Sequence, residues 1–329
     1  MTPVDRLLSA VARNAGRLKG GTVGCLFTFH RAARHGDWAS LPDRDFYVDI
    51  DFLDELLTYL GDHAWSIVTI DEALKRAAAG DRSRFVNFSI DDCYRDTYEL
   101  VVPLFRKHRA PVTLFVTTGI PDGTLVMWQS GLEQALQERS SVQLEGRTVD
   151  TSAYELKRAL YRSTFGSWDG PHAARQYAAF CVENGLDADS MRARHAITWE
   201  MLNELVTDAF VEIGSHTISH PRVSSLAEGD AFDELAQSRN RLEEKLNAAV
   251  HHFAFPYGRS GDCGERDFRL VQQAGYQSAS TTRKGNVRAH QDPFKLPRNT
   301  LNGKHQRMLQ AELHLAGFSG LAARMLNRV

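Results

Sequence analysis

The chain has 329 residues, of which 43% are hydrophobic and 24% charged, with 10 Pro and 24 Gly. This is globular composition and excludes collagen-like, coiled-coil and disordered architectures; the length allows about two domains, or one α/β barrel-sized domain carrying an insertion. Lys plus Arg total 39 against 41 Asp plus Glu, a net charge of −2, so the basic excess of a nucleic-acid binder is absent and no nucleic-acid partner is expected.

At the N-terminus, Val4, Leu7, Leu8, Val11, Ala15 and Leu18 recur at helical spacing with Arg6, Arg13, Arg17 and Lys19 among them. The spacing predicts an amphipathic helix over residues 1–20, docked on the domain or touching an anionic membrane surface peripherally. The cationic residues break the apolar core that a signal peptide needs, and no window reaches the ~18–20 apolar residues of a membrane span. Cys25, Cys93, Cys181 and Cys263 stand far apart with no CxxC pair, which reads as reduced thiols. Together these features predict a cytoplasmic chain.

Apolar runs at Val23–Phe29, Trp65–Val68, Phe85–Ile90, Val112–Val116, Val211–Gly214, His252–Phe255 and Tyr276–Ser280 predict seven buried strands. Amphipathic segments lie between them, one with Phe52, Leu53, Leu56, Leu57 and Leu60 on a face and another with Phe232, Leu235, Leu242 and Leu246. Thr69 with Glu72 suggests a capping box, and Gly275 a helix stop. This alternation predicts an α/β fold with a mostly parallel sheet. It is interrupted over about 121–197, read as a mostly helical insertion in which Val142–Val149 forms a hairpin turning near Glu145 and Gly146. The stretch Leu309–Leu326 predicts a helical tail over 301–329.

Ligands of parallel α/β sheets gather at the C-terminal ends of the strands. One strand, FVNFSIDD, delivers the adjacent carboxylates Asp91 and Asp92. Another is followed by His216 and His220, four residues apart, a spacing that a helical turn would place on one face as paired metal ligands, with Pro221 limiting the turn. One Asp and two His around a divalent ion would leave positions open for water and substrate. A third strand end carries Pro256 and Tyr257 into a Gly-containing turn. Trp128, Trp168 and Trp199 read as packing residues before sugar platforms, His251 and His252 as structural, and Cys93 as no nucleophile; His195 and His290 receive no role.

The order and wording of these motifs resemble the polysaccharide deacetylases with a NodB-homology domain, carbohydrate esterase family 4. Ser89-Ile90-Asp91-Asp92 resembles the family's T-F-D-D motif, His216-Thr217-Ile218-Ser219-His220 its H-[ST]-x-x-H motif, and Phe255-Pro256-Tyr257-Gly258 its third motif. The resemblance runs from about Gly21 to Arg298. It implies a distorted (β/α)7-type barrel over residues 21–300 and metal-dependent hydrolysis of an N-acetyl group on a sugar. Asp92, His216 and His220 would hold the metal, Asp91 would act as general base, and the Tyr257 backbone N–H would face the oxyanion. One carboxylate and two imidazoles suit zinc first and also admit cobalt, nickel, manganese or iron.

Two departures from the family pattern stand out. Ala254 occupies the place of the Arg that orients the base in many members, with Arg298 in KLPRNT as candidate substitute. The L-x-H motif that supplies the general acid is also absent: His314 sits in the helical tail, and His30, ending the first strand, takes that role as in members that look circularly shifted. The expected substrate is an N-acetylated glycan or a lipid-linked sugar intermediate. Two alternatives share or reuse these residues: removal of another N-acyl group such as formyl, and a catalytically silent glycan binder.

Overall fold

The apolar runs form strands and the amphipathic segments form helices in the expected alternation. The computed structural model describes residues 22–318 apart from Arg82, Asp169 and His305. The helix expected over 1–20 and the tail beyond 318 lie outside the described residues. In chain order the strands are β1 (Thr22–Phe29), β2 (Arg31–Ala33), β3 (Tyr47–Asp49), β4 (Ser66–Ile67), β5 (Phe85–Asp92), β6 (Val112–Val116), β7 (Ser141–Leu144), β8 (Arg147–Asp150), β9 (Val211–Ser215), β10 (His252–Ala254), β11 (Ser278–Ser280), β12 (Val287–Arg288) and β13 (Asn299–Thr300). β2 pairs with β3 and β7 with β8; the other nine form one sheet in the order β11-β10-β9-β6-β5-β1-β12, with β4 on β5 and β13 on β1. Only the β1–β12 pairing in that sheet is antiparallel.

The sheet curls, and residues 296–300 close it. Ser280 at the end of β11 bridges to Leu296, while Asn299 and Thr300 pair with Phe27 and Thr28 of β1. The result is a distorted (β/α)7-type barrel, as the family resemblance implies, with closure made by five residues that carry too little apolar character to be read as a strand.

Strand periodicity then sorts side chains between two environments. On β5, Val86, Phe88 and Ile90 join the outer core with Leu53, Leu56 and Leu60 of the helix Ile50–Asp62. Phe85, Asn87, Ser89 and Asp91 occupy the opposite, inner face. Phe85 and Phe115 meet Leu26 and Ala254 inside. Gly24 and Gly214 make room for these rings: a Cβ on Gly24 would come within 2.1 Å of Phe85, and one on Gly214 within 2.6 Å of Phe115. The helix Ile70–Ala79 stoppers the N-terminal end of the barrel, burying Ile70, Ala73 and Ala77 against this inner cluster. Its N-cap Thr69 accepts the Glu72 N–H at 3.2 Å, but Glu72 turns to Arg76 at 2.8 Å, so only half of the expected capping box forms.

Residues 128–193 break the alternation with four helices, Trp128–Glu138, Tyr154–Ser167, Gly170–Asn184 and Ala188–Ala193, and the β7–β8 hairpin. The hairpin turns at Glu145 and Gly146, both with positive φ (52° and 72°), the geometry of a two-residue type I′ turn. This segment buries its own apolar cluster, which includes Trp128, Leu136, Tyr161, Trp168 and Phe180. The two tryptophans are therefore packing residues. A seam of polar contacts bridges the segment to the barrel. Arg31 donates to Asp96 at 2.9 Å, to Ser130 at 3.1 Å and to His195 Nδ1 at 3.1 Å, while lying against the rings of Tyr47 and Tyr94. Tyr47 donates to Glu133 at 2.5 Å, and Tyr161 to Asp43 at 3.1 Å.

Candidate active site at the C-terminal ends of the strands

Backbone strain marks one end of the barrel. Among the described residues ten non-glycine positions have positive φ, and five of them, Asp92, Cys93, Thr217, His220 and Tyr257, end or follow β5, β9 and β10 on the C-terminal side. A left-handed φ is costly for any side chain and most of all for β-branched Thr217, so such a concentration points to function. At Asp92 it has a direct effect. Cys93 N–H bonds back to the Asp91 carbonyl at 2.9 Å, a tight turn that breaks the two-residue alternation. Asp91 therefore stays on the inner face while Asp92 swings over the mouth.

Asp92, His216 and His220 converge there, with one donor atom of each within 4.8 Å of the others. His216 Nε2 lies 3.6 Å and His220 Nε2 3.2 Å from Asp92 Oδ1. His216 Nδ1 is 2.7 Å from the Ala254 carbonyl, to which it donates, so Nε2 carries the lone pair and faces the carboxylate. Burial lowers the His216 pKa to about 4 despite Asp91 and Asp92, which keeps the ring neutral. The two histidines are not on a helical turn. Left-handed Thr217 and His220 fold the loop instead, and Glu234 of the helix Glu228–Leu246 holds it by accepting the N–H groups of Ile218 (2.8 Å) and Ser219 (3.1 Å) and the Ser219 hydroxyl (2.6 Å).

Asp91 is held separately. Arg298, fully buried, donates to its Oδ1 at 2.6 Å and its Oδ2 at 2.8 Å, and also to Thr28 Oγ1 (3.0 Å), Ser89 Oγ (2.9 Å) and the Thr281 carbonyl (3.1 Å). Burial pushes the Asp91 carboxyl up, but Arg298, His216 and His30 outweigh it and bring the pKa down to about 2. Arg298 sits in the closing segment 296–300, which explains how a residue distant in sequence reaches the place of an Arg missing before Pro256.

His30 continues the inner face of β1 beyond Thr28, half-buried, with its ring 4.7 Å from that of Phe46. His314 is elsewhere: it packs edge-on at 6.1 Å against Phe27, on the outer face of β1. Tyr257 is 51% exposed, its ring 5.1 Å from that of His220 and covered by the Arg222 guanidinium at 5.4 Å. It is the central residue of a tight turn in which Gly258 N–H bonds to the Pro256 carbonyl at 2.7 Å, and its own N–H bonds to no described group. Cys93 is buried with its thiol pKa pushed up by burial and by Asp92, the reverse of an activated nucleophile. Trp199 donates to Asp122 at 3.0 Å and packs on the core, and His195 lies in the seam with Arg31.

Sequence reasoning gave no role to Thr28 and Glu234, nor to Ser89 beyond its place in the motif. Thr28 and Ser89 were legible as polar residues at alternate positions inside apolar runs, where period two places them together on the inner face. Glu234 carries no such signal, because it lies on the polar side of a long amphipathic helix.

The solved IcaB from Ammonifex degensii superposes with a TM-score of 0.57 at 17% identity, covering 90% of this chain and 98% of that one. The Streptococcus pyogenes deacetylase PplD, solved with acetate, gives 0.56 at 16% identity, covering 87% and 95%. The Bacillus subtilis (strain 168) protein YxkH is 26% identical over 109 residues, 33% of this chain and 38% of the relative's length. The family model described as polysaccharide deacetylase matches residues 79–279, more than half of the chain. The chain belongs to the polysaccharide deacetylase family.

Proposed function

We propose that this protein removes an N-acetyl group from an amino sugar of a polysaccharide or glycan precursor by metal-dependent hydrolysis. The observation that carries the reading is the division of labour between adjacent carboxylates: Asp92 converges with His216 and His220, while Asp91 is locked by Arg298. The donor set fits a divalent ion. Tetrahedral ligand bonds of about 2.0–2.2 Å place donors about 3.3–3.6 Å apart, close to the observed 3.2 and 3.6 Å, and the His216 tautomer presents its lone pair. When bound, such an ion supplies Lewis-acid polarisation of the amide carbonyl and lowers the pKa of water toward neutrality.

The chain's own residues account for the proton transfers. Asp91, ionised at neutral pH, takes a proton from water as the new C–O bond forms, and Arg298 keeps its oxygens aimed into the mouth. The Tyr257 N–H donates to the oxyanion. His30 gives a proton to the sugar nitrogen as the C–N bond breaks, releasing acetate and a free amine. Zinc is the preferred ion for one carboxylate and two imidazoles.

The test follows acetate release from N-acetylglucosamine oligomers together with bound metal. Asp91→Asn is expected to keep the wild-type metal content and lose about 10²–10⁴-fold in turnover. His216→Ala should lose one ion per chain and all turnover. Metal loss in Asp91→Asn, or unchanged metal in His216→Ala, would overturn these roles.

A further inference from the structure

A second trio of donors lies at the opposite end of the barrel, and we propose that it holds a structural divalent cation of the zinc type. The trio is Asp71, Glu212 and His252, whose donor atoms fall within 4.8 Å of one another. Asp71 stands in the first turn of the stoppering helix Ile70–Ala79, Glu212 is the second residue of β9, and His252 is the first of β10. A cation there ties the stopper to two barrel strands.

Three observations support it. First, His252 is 1% exposed, and its Nε2 is buried without a hydrogen bond, although Asp71 Oδ1 is 3.3 Å and Glu212 Oε1 3.5 Å away. Its Nδ1 is already engaged, 2.9 Å from Ser278 Oγ. With Nδ1–H given to that hydroxyl, the Nε2 lone pair points between two carboxylate oxygens, an arrangement that a cation resolves. Second, the separations of 3.3 and 3.5 Å match the edges that a tetrahedral ion with bonds of about 2.0–2.2 Å imposes, as do those at the mouth.

Third, the surrounding groups prepare these donors. The other Glu212 oxygen, Oε2, accepts the Ile70 N–H at 3.0 Å and the Thr113 hydroxyl at 2.6 Å, which fixes the carboxylate with Oε1 facing His252 and taking only a long 3.5 Å contact from the Asp71 N–H. That use of Oε2 also answers the positive end of the helix. Among the described residues neither carboxylate of the trio has a Lys or Arg partner. Asp71, with its side chain 49% exposed, opens the site to solvent for ion entry and for water ligands. Without a cation, His252 would face the carboxylates with a proton on Nε2, either as an imidazolium or as the neutral tautomer whose Nδ1 accepts the Ser278 hydroxyl, and the experiment separates these states from the bound ion.

The full-length protein is stripped with chelator, dialysed against zinc alone, and its bound zinc counted by elemental analysis beside a thermal melt. Wild type is expected to bind two ions per chain. Asp71→Ala, a change of a half-exposed side chain, and His252→Gln should each bind one, and should lose part of the rise in melting midpoint that zinc gives wild type. His216→Ala should also bind one while keeping the rise that the floor site provides, so failure at the mouth and failure at the floor are distinguishable. Equal zinc content in wild type and Asp71→Ala would overturn the proposal, leaving His252 protonated at Nε2. So would a second ion that leaves on Asp49→Ala, which would place it at the cluster of buried Asp49 with exposed His35 and Asp51.

Discussion

Two buried arginines, one at the barrel mouth and one in the seam against residues 128–193, show how the same side chain does different work. Arg298 draws all its partners from the barrel: Thr28 on β1, Ser89 and Asp91 on β5, and the Thr281 carbonyl after β11. Arg31 pairs with Asp96 but reaches outward to Ser130 and His195. The Arg298–Asp91 pair is fully engaged, each guanidinium nitrogen having an acceptor and each Asp91 oxygen a donor. The seam is not: Asp96 Oδ1 and His195 Nε2 are buried without hydrogen-bond partners, and Asp43, Asp96 and Glu133 all have raised pKa values, burial being the largest cause for each. A fully satisfied network orients one carboxylate; a partly satisfied one joins two separately packed clusters and leaves their junction sensitive to pH.

Breaking each arginine tests the contrast. Arg298→Met strands the Asp91 charge inside the barrel and should cost about 3–5 kcal/mol by urea unfolding, with turnover falling as in Asp91→Asn. Unchanged turnover would remove Arg298 from the site. Arg31→Met should cost less, about 3 kcal/mol, and should expose residues 128–193 to limited proteolysis while the barrel resists. Simultaneous cleavage of both parts would mean that the seam is no boundary.

A smaller effect sharpens the comparison. Burial and the neighbouring Glu133 raise the Asp43 pKa to about 7, against ~3.9 when unfolded. A carboxyl with a raised folded pKa binds its proton more tightly in the native state. Its stabilisation is therefore full below about pH 4 and is lost as pH rises to about 7. Asp43→Asn should flatten that decline, a difference on the order of 1–2 kcal/mol between pH 5 and 8, and an unchanged pH dependence would exclude Asp43 as its source. The smallest effect is expected in the hairpin: Glu145→Asn, at a left-handed turn position, should raise stability by about 0.5 kcal/mol with activity unaltered.

Much of this molecule was legible along the chain. The seven apolar runs defined β1, β4, β5, β6, β9, β10 and β11 to within a residue or two, because a strand buried on both faces must be apolar nearly throughout, while the short β2, β3, β12 and β13 gave no such run. The pairing of FVNFSIDD with HTISH identified the mouth, and period two already aligned His30 with Leu26 and Thr28, and Asp91 with Asn87 and Ser89. Other features depended on contacts between distant residues. A helical turn was expected at His216–His220, but Glu234, sixteen residues beyond Ile218, stabilises a left-handed loop instead. Arg298 meets Asp91 across 207 positions only because residues 296–300 close the barrel. His252, read as structural from its place at a strand entrance, faces two carboxylates because β9, β10 and the stoppering helix converge.

Sequence by itself determined which residues must be buried, how they alternate and which chemistry the strand ends carry, since period and composition act locally. Only the tertiary structure decided which charges meet. The free energy of a buried charge depends on every neighbour within a few ångströms, and those neighbours are set by barrel closure rather than by separation along the chain.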